Sequence, residues 1–146
     1  MKHEIETQWM GKMQFNALVN EHTIIMDTPE RIGGEDLGTI PKPLVLTALS
    51  GCTGMDVVAL LRKQGIELNN FNIKVSGEIS KQQPIEYVAI HVVYDITGDI
   101  NYQQPTFDVI MTSQEKICGV SSMLKKIMPV TWSILYNGTE IFNNQH

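Results

Sequence analysis

Three observations predict an α+β fold. Alternating apolar and polar runs cluster in hairpin-like pairs, long helical stretches are few, and helices and strands do not alternate one for one as a doubly wound sheet would require. The order read along the 146-residue chain is β-β-β-α-β-β-α-β. It predicts antiparallel sheets in a single domain spanning 1–146.

Residues Ile5 to Trp9 read as a short first strand. Met13, Phe15, Ala17 and Val19 alternate with Gln14, Asn16 and Asn20, the pattern of a half-buried strand. Asn20-Glu21 gives a turn, and His22 to Asp27 completes a hairpin. Thr28 to Pro43 holds three prolines and three glycines and reads as a long loop, with Asp27, Glu30, Glu35 and Asp36 forming a solvated acidic surface. A helix is predicted from Pro43 to about Lys63, with Gly65 as its stop. Its apolar residues lie all around, the signature of a helix buried on most sides. Phe71 to Ile79 and Tyr87 to Ile96 alternate clearly and predict a second hairpin. Thr106 to Met128 reads as helical with a break near Ser113, its second half placing Ile117, Val120, Leu124 and Ile127 on one face. Pro129 stops it, Val130 to Tyr136 forms the last strand, and the tail from Asn143 to His146 reads as polar and frayed.

The chain carries 11 Lys+Arg against 16 Asp+Glu, a net charge of −5. Phosphate binding needs a concentrated basic face, so nucleic acid is not an expected partner. Charged residues make up 18%, below the usual share of about 25%. This suggests an oligomer interface, although a surface rich in Asn and Gln accounts for part of the deficit. The N-terminal Met1-Lys2-His3-Glu4-Ile5-Glu6 has no apolar signal region. The apolar stretch Leu44 to Leu61 just reaches the length of a membrane span but carries Asp56, so it reads as a core helix. A cytoplasmic protein without a membrane partner is expected.

In that compartment the two cysteines are either buried small hydrophobes or redox-active groups. Cys52 lies in Ser50-Gly51-Cys52-Thr53-Gly54-Met55-Asp56, inside the predicted first helix. Each helix-interior glycine costs about 1 kcal/mol against alanine. Gly51 and Gly54 therefore mark either a closely packed neighbour or space kept beside the sulfur. Cys118 lies in Glu115-Lys116-Ile117-Cys118-Gly119, also predicted helical. Thiol chemistry needs the thiolate, and Asp56 one turn after Cys52 opposes it. Activation must therefore come from a cation brought by the fold. Arg31 is the first choice because it stays charged when desolvated, with Lys12 and Lys42 as the other candidates. The four histidines show no zinc-ligand spacing, so no metal or other cofactor is expected. A Cys–His hydrolase using His22 or His91 stays formally open. Gly33-Gly34 is followed by Glu35-Asp36, which would repel phosphate.

The run Pro41-Lys42-Pro43-Leu44-Val45-Leu46-Thr47-Ala48-Leu49-Ser50-Gly51-Cys52, followed by Asp56-Val57-Val58, resembles the OsmC/Ohr family of small thiol peroxidases, in its less characterised OsmC-like branch. So do Cys118-Gly119-Val120-Ser121 and the loop Asp27-Thr28-Pro29-Glu30-Arg31-Ile32-Gly33-Gly34. The resemblance covers nearly the whole chain. It implies an OsmC-like fold with antiparallel sheets around two central helices, and an intertwined homodimer with its site at the dimer interface. It also implies reduction of organic hydroperoxides in the oxidative stress response. Carried over, Cys52 attacks the peroxide and becomes a sulfenic acid, Cys118 resolves it to a disulfide, and a lipoyl-type dithiol restores both thiols. Arg31 is the expected thiolate stabiliser. The chain departs from well-studied members, which carry a glutamate where this chain has Lys42 and Pro43, and an arginine near the first hairpin, where it has none before Arg31. A non-catalytic redox sensor or small apolar-ligand-binding protein is the second reading, and a cysteine-dependent acyl hydrolase the third.

Overall fold

The structure, a computed structural model, describes residues 1–145; His146 lies outside the described residues. The chain divides into two compact units, Met1–Val45 and the remainder from Leu46, the boundary falling in the first turn of a helix.

The first unit is a three-stranded antiparallel meander of β1 (Glu6–Gly11), β2 (Gln14–Val19) and β3 (His22–Met26). β2 and β3 join through Asn20 and Glu21, both at positive φ (47° and 68°), the backbone that a tight two-residue hairpin demands. The following loop is held by Asp27, which corrects its reading as part of a solvated acidic surface. Asp27 is buried, and its carboxylate accepts the backbone N–H groups of Thr28 (2.8 Å), Leu37 (3.1 Å) and Glu35 (3.2 Å). Those bonds, led by that from Thr28, outweigh desolvation and lower its pKa from the ordinary 3.8. A side chain at Gly34 would sit 2.1 Å from the Thr28 carbonyl oxygen, so only glycine lets the loop close here.

The second unit contains the sheet β4 (Asn70–Ile79), β5 (Tyr87–Thr97), β6 (Val130–Tyr136) and β7 (Thr139–Asn143), hydrogen-bonded in that order. Its helices are α1 (Leu44–Lys63), which begins in the first unit, α2 (Gln103–Thr112) and α3 (Gly119–Lys125). The α+β class holds, with two departures. β5 and β6 run parallel, Tyr94 opposite Ile134, because α2 and α3 form the crossover between them. A seventh strand, β7, follows the turn Asn137-Gly138, both at positive φ. Of the expected frayed tail, Asn143 instead ends β7 and Asn144 is pinned, the Trp132 N–H donating to its Oδ1 at 2.7 Å.

Helix α1 ends in a Schellman motif. The Ile66 N–H reaches back to the Leu61 carbonyl and the Gly65 N–H to that of Arg62, both at 3.0 Å, with Gly65 at φ 73°. Leu61 and Ile66 are both in the core. Within the single chain α1 is not buried on most sides. It buries one stripe, Leu49, Thr53, Val57 and Leu61, at helical i, i+4 spacing, while Met55 is 75% exposed. The stripe shares a core with Val92, Tyr94, Ile96, Ile110 and Ile134 from the sheet and α2. Length and composition alone would let α1 cross a membrane, but its buried stripe belongs to this core.

The break expected near Ser113 in the helical stretch from Thr106 to Met128 falls between α2 and α3. Ser113–Ile117 forms a π turn, closed by the Cys118 N–H on the Ser113 carbonyl at 2.8 Å. Cys118 is extended (φ −65°, ψ 106°) and caps the N-terminus of α3, correcting its helical assignment. The widened turn also breaks the expected apolar face, leaving Ile117 and Ile127 exposed.

Candidate functional site

Cys52 and Asp56 are four residues apart on α1, so they project from one helical face. The π turn delivers Cys118 to the same place. The two sulfur atoms and a carboxylate oxygen of Asp56 all lie within 4.8 Å of one another. Both cysteines are free thiols. Cys52 is partly exposed, whereas Cys118 is 2% exposed.

A continuous buried hydrogen-bond chain surrounds this cluster. Ser113 donates to the Asp56 carboxylate at 2.9 Å. Ser113, its proton so used, accepts from Thr53 at 2.8 Å, and Thr53 accepts from the Tyr94 phenol at 2.7 Å. Tyr94 accepts from Gln114 Nε2 at 2.6 Å, and the Gln114 carbonyl oxygen accepts from the Ser121 hydroxyl at 2.7 Å. Every donor thus points along the chain towards Asp56, a mutually polarising arrangement. Ser121 also closes the circuit on the thiols, its backbone N–H donating to Cys118 Sγ at 3.4 Å.

Burial is the main reason that the Cys118 thiol is pushed up to about 11. The Ser121 N–H works against this, while contact with Cys52 and the charge of Asp56 add to it. Tyr94 is pushed up to about 12, again chiefly by burial and against the hydrogen bonds to Thr53 and Gln114. Lys125 donates to the carbonyl of Gln114 in the π turn and lies 4.8 Å from the centre of the Trp132 ring. Burial lowers its pKa, and the charges of Glu115 and Cys118 pull the other way. The two glycines beside Cys52 have different settings. A methyl at Gly54 would meet Ile73 Cδ1 of β4 at 3.0 Å, whereas nothing lies within 4 Å of one at Gly51.

Cys52 and Cys118, both singled out from sequence, are therefore brought together. Arg31 belongs to the first unit, exposed in the 3₁₀ turn Glu30–Ile32. In that unit Lys12 pairs with Glu35 at 3.2 Å. His91 bonds Thr131 at 2.8 Å and Ser133 at 3.2 Å, and the pleat of β5 turns it to the face opposite Tyr94. Thr53, Tyr94, Ser113, Gln114, Ser121 and Lys125 also surround the site. They are not singled out by their sequence context, beyond a polar Thr53 in an apolar helix and the Ser113-Gln114 pair at the helix break.

A family model described as OsmC-like protein matches residues 33–133. Protein YhfA of Escherichia coli (strain K12) is 26% identical over 131 residues, covering 89% of this chain and 95% of YhfA. A crystal structure of a hypothetical protein from Aquifex aeolicus VF5 superposes with a TM-score of 0.77 at 23% identity, covering 94% of this chain and 98% of that one. An organic hydroperoxide resistance protein OsmC from Legionella pneumophila gives a TM-score of 0.66 at 15% identity, over 92% and 97% of the two chains. Both structural likenesses show a shared fold.

Proposed function

The chain belongs to the OsmC-like protein family, and we propose that it is a two-cysteine, thiol-dependent peroxidase acting on organic hydroperoxides. The observation that carries this reading is the meeting of two free thiols within 4.8 Å, one partly exposed and one buried. The name of the Legionella relative, an organic hydroperoxide resistance protein, supports the substrate class.

In this reading the Cys52 thiolate attacks the terminal oxygen of the hydroperoxide. The O–O bond breaks, the sulfur takes the hydroxyl, and the alkoxide leaves as an alcohol after taking a proton from water. Cys118 then attacks the Cys52 sulfenic acid, the S–S bond forms, and the hydroxyl leaves with the Cys118 proton as water. Asp56, oriented by Ser113, is placed to pass that proton on. An external dithiol, of lipoyl type in this proposal, reduces the disulfide and is itself oxidised. Exposure decides the roles: the partly exposed Cys52 meets substrate, and the buried Cys118 waits as a thiol. Arg31 is assigned to hold the Cys52 thiolate, to be read from the rate of an Arg31→Gln variant.

The protein is further proposed to act as a cytoplasmic homodimer. The uncovered apolar residues Met55, Met123 and Ile127 of the single chain support an interface. Peroxide consumption tests the activity: reduced protein should remove cumene hydroperoxide much faster than hydrogen peroxide, and consumption of both at the rate of a free thiol would refute it.

A further inference from the structure

We propose that Cys52, Asp56 and Cys118 form a binding site for a single zinc-like divalent metal ion, with a fourth position open to water. Three ligand atoms, two sulfurs and one carboxylate oxygen, already lie within 4.8 Å of one another. Zinc–sulfur bonds of about 2.3 Å and zinc–oxygen bonds of about 2.1 Å require ligand atoms about 3.6–3.8 Å apart in a tetrahedron. The observed cluster is therefore within about 1 Å of that spacing.

The donor set selects the ion. Two thiolates and one carboxylate suit zinc and its borderline neighbours, whereas magnesium and calcium take oxygen ligands alone. Two of the ligands sit at i and i+4 on one helix, the spacing by which a helix presents two ligands to one metal in H-E-x-x-H sites. The supporting contacts are also in place. Ser113 holds the Asp56 carboxylate, and the Ser121 N–H holds the Cys118 sulfur, as outer partners fix ligands in metal sites. Partial exposure of Cys52 and Asp56 leaves a route for the ion and room for water as the fourth ligand.

Binding displaces the two thiol protons to water and involves no change of oxidation state. A metal on the two sulfurs and a disulfide between them exclude each other, so occupation keeps the pair reduced. The site does not depend on the peroxidase reading, because it requires only the reduced thiols and the carboxylate.

Cobalt(II) titration of the reduced protein, without peroxide, is the test. The expected result is one ion per chain, with an intense thiolate-to-cobalt band and tetrahedral ligand-field bands, both abolished by added zinc. Cys118→Ser should remove about half of the charge-transfer intensity, and Asp56→Asn should weaken binding at least tenfold. Asp56→Asn can still accept from Ser113, and circular dichroism checks its fold. No thiolate–cobalt band, an octahedral spectrum, or unchanged binding in folded Asp56→Asn would each overturn the proposal. A protein that binds cobalt this way but ignores hydroperoxides would retain the metal site and lose the peroxidase.

Discussion

The sulfur atoms of Cys52 and Cys118 lie within 4.8 Å of each other, one on α1 and the other at the N-cap of α3. A disulfide needs about 2.05 Å between them. A shift of under about 3 Å, shared between two side chains, bridges that gap.

Removing either thiol should separate the two half-reactions. Cys52→Ser is expected to abolish hydroperoxide consumption. Cys118→Ser should retain the first turnover and slow later ones at least tenfold, with the Cys52 sulfenic acid trapped by dimedone and seen by mass spectrometry. Normal cycling of Cys118→Ser would remove its resolving role.

The buried thiol and phenol make the fold sensitive to alkali. Cys118 rises from 9.0 to about 11 and Tyr94 from 10.0 to about 12, both through burial first. Between those values the unfolded chain has released protons that the folded chain retains. Stability is therefore full below about pH 9 and falls as pH rises towards 12. Thermal melts across that range check this, and the slope above pH 10 should be shallower in Tyr94→Phe.

Tyr94→Phe should also cost about 1–3 kcal/mol at neutral pH, because it leaves the buried Gln114 amide without its acceptor and Thr53 without its donor. Denaturant unfolding measures the loss. An unchanged midpoint would show that the chain of hydroxyls carries no net stability.

The loop built on Asp27 should respond to acid instead. Its folded pKa is lowered below 3.8, so its contribution is complete above that value and is lost as pH falls through the lower one. The backbone amide resonances of Leu37 and Glu35 should titrate together there. In Asp27→Asn they should lose that titration, and the loop should become more sensitive to protease.

Hydrodynamic mass tests the assembly. Sedimentation at micromolar concentration should show a dimer, and replacing the exposed Met55 of α1 with Glu should shift it towards monomer. A wild-type monomer would contradict the interface proposal.

Much of this architecture is readable from local pattern. The alternation from Phe71 to Ile79 marked β4, and Gly65 marked the end of α1. β7 is not legible although Asn137-Gly138 is a strong hairpin signal, because the five residues Thr139–Asn143 are too few and too irregular to show an alternation. Other features are set by tertiary contact. Asp27 reads like its acidic loop neighbours until three N–H groups converge on it. The break near Ser113 is legible in the sequence, but its widening into a π turn that leaves Cys118 extended is set by the packing around it. At the site, glycine marked Cys52 and Cys118, but their meeting with Asp56 depends on that turn.

The central claim is that Cys52 and Cys118 are one redox pair. The most direct measurement is the mass of reduced protein after one equivalent of cumene hydroperoxide, followed by peptide mapping without reductant. The account predicts the loss of two hydrogens and a single Cys52–Cys118 cross-linked peptide. Persistence of two free thiols, or a disulfide joining Cys52 of one chain to Cys52 of another, would contradict it.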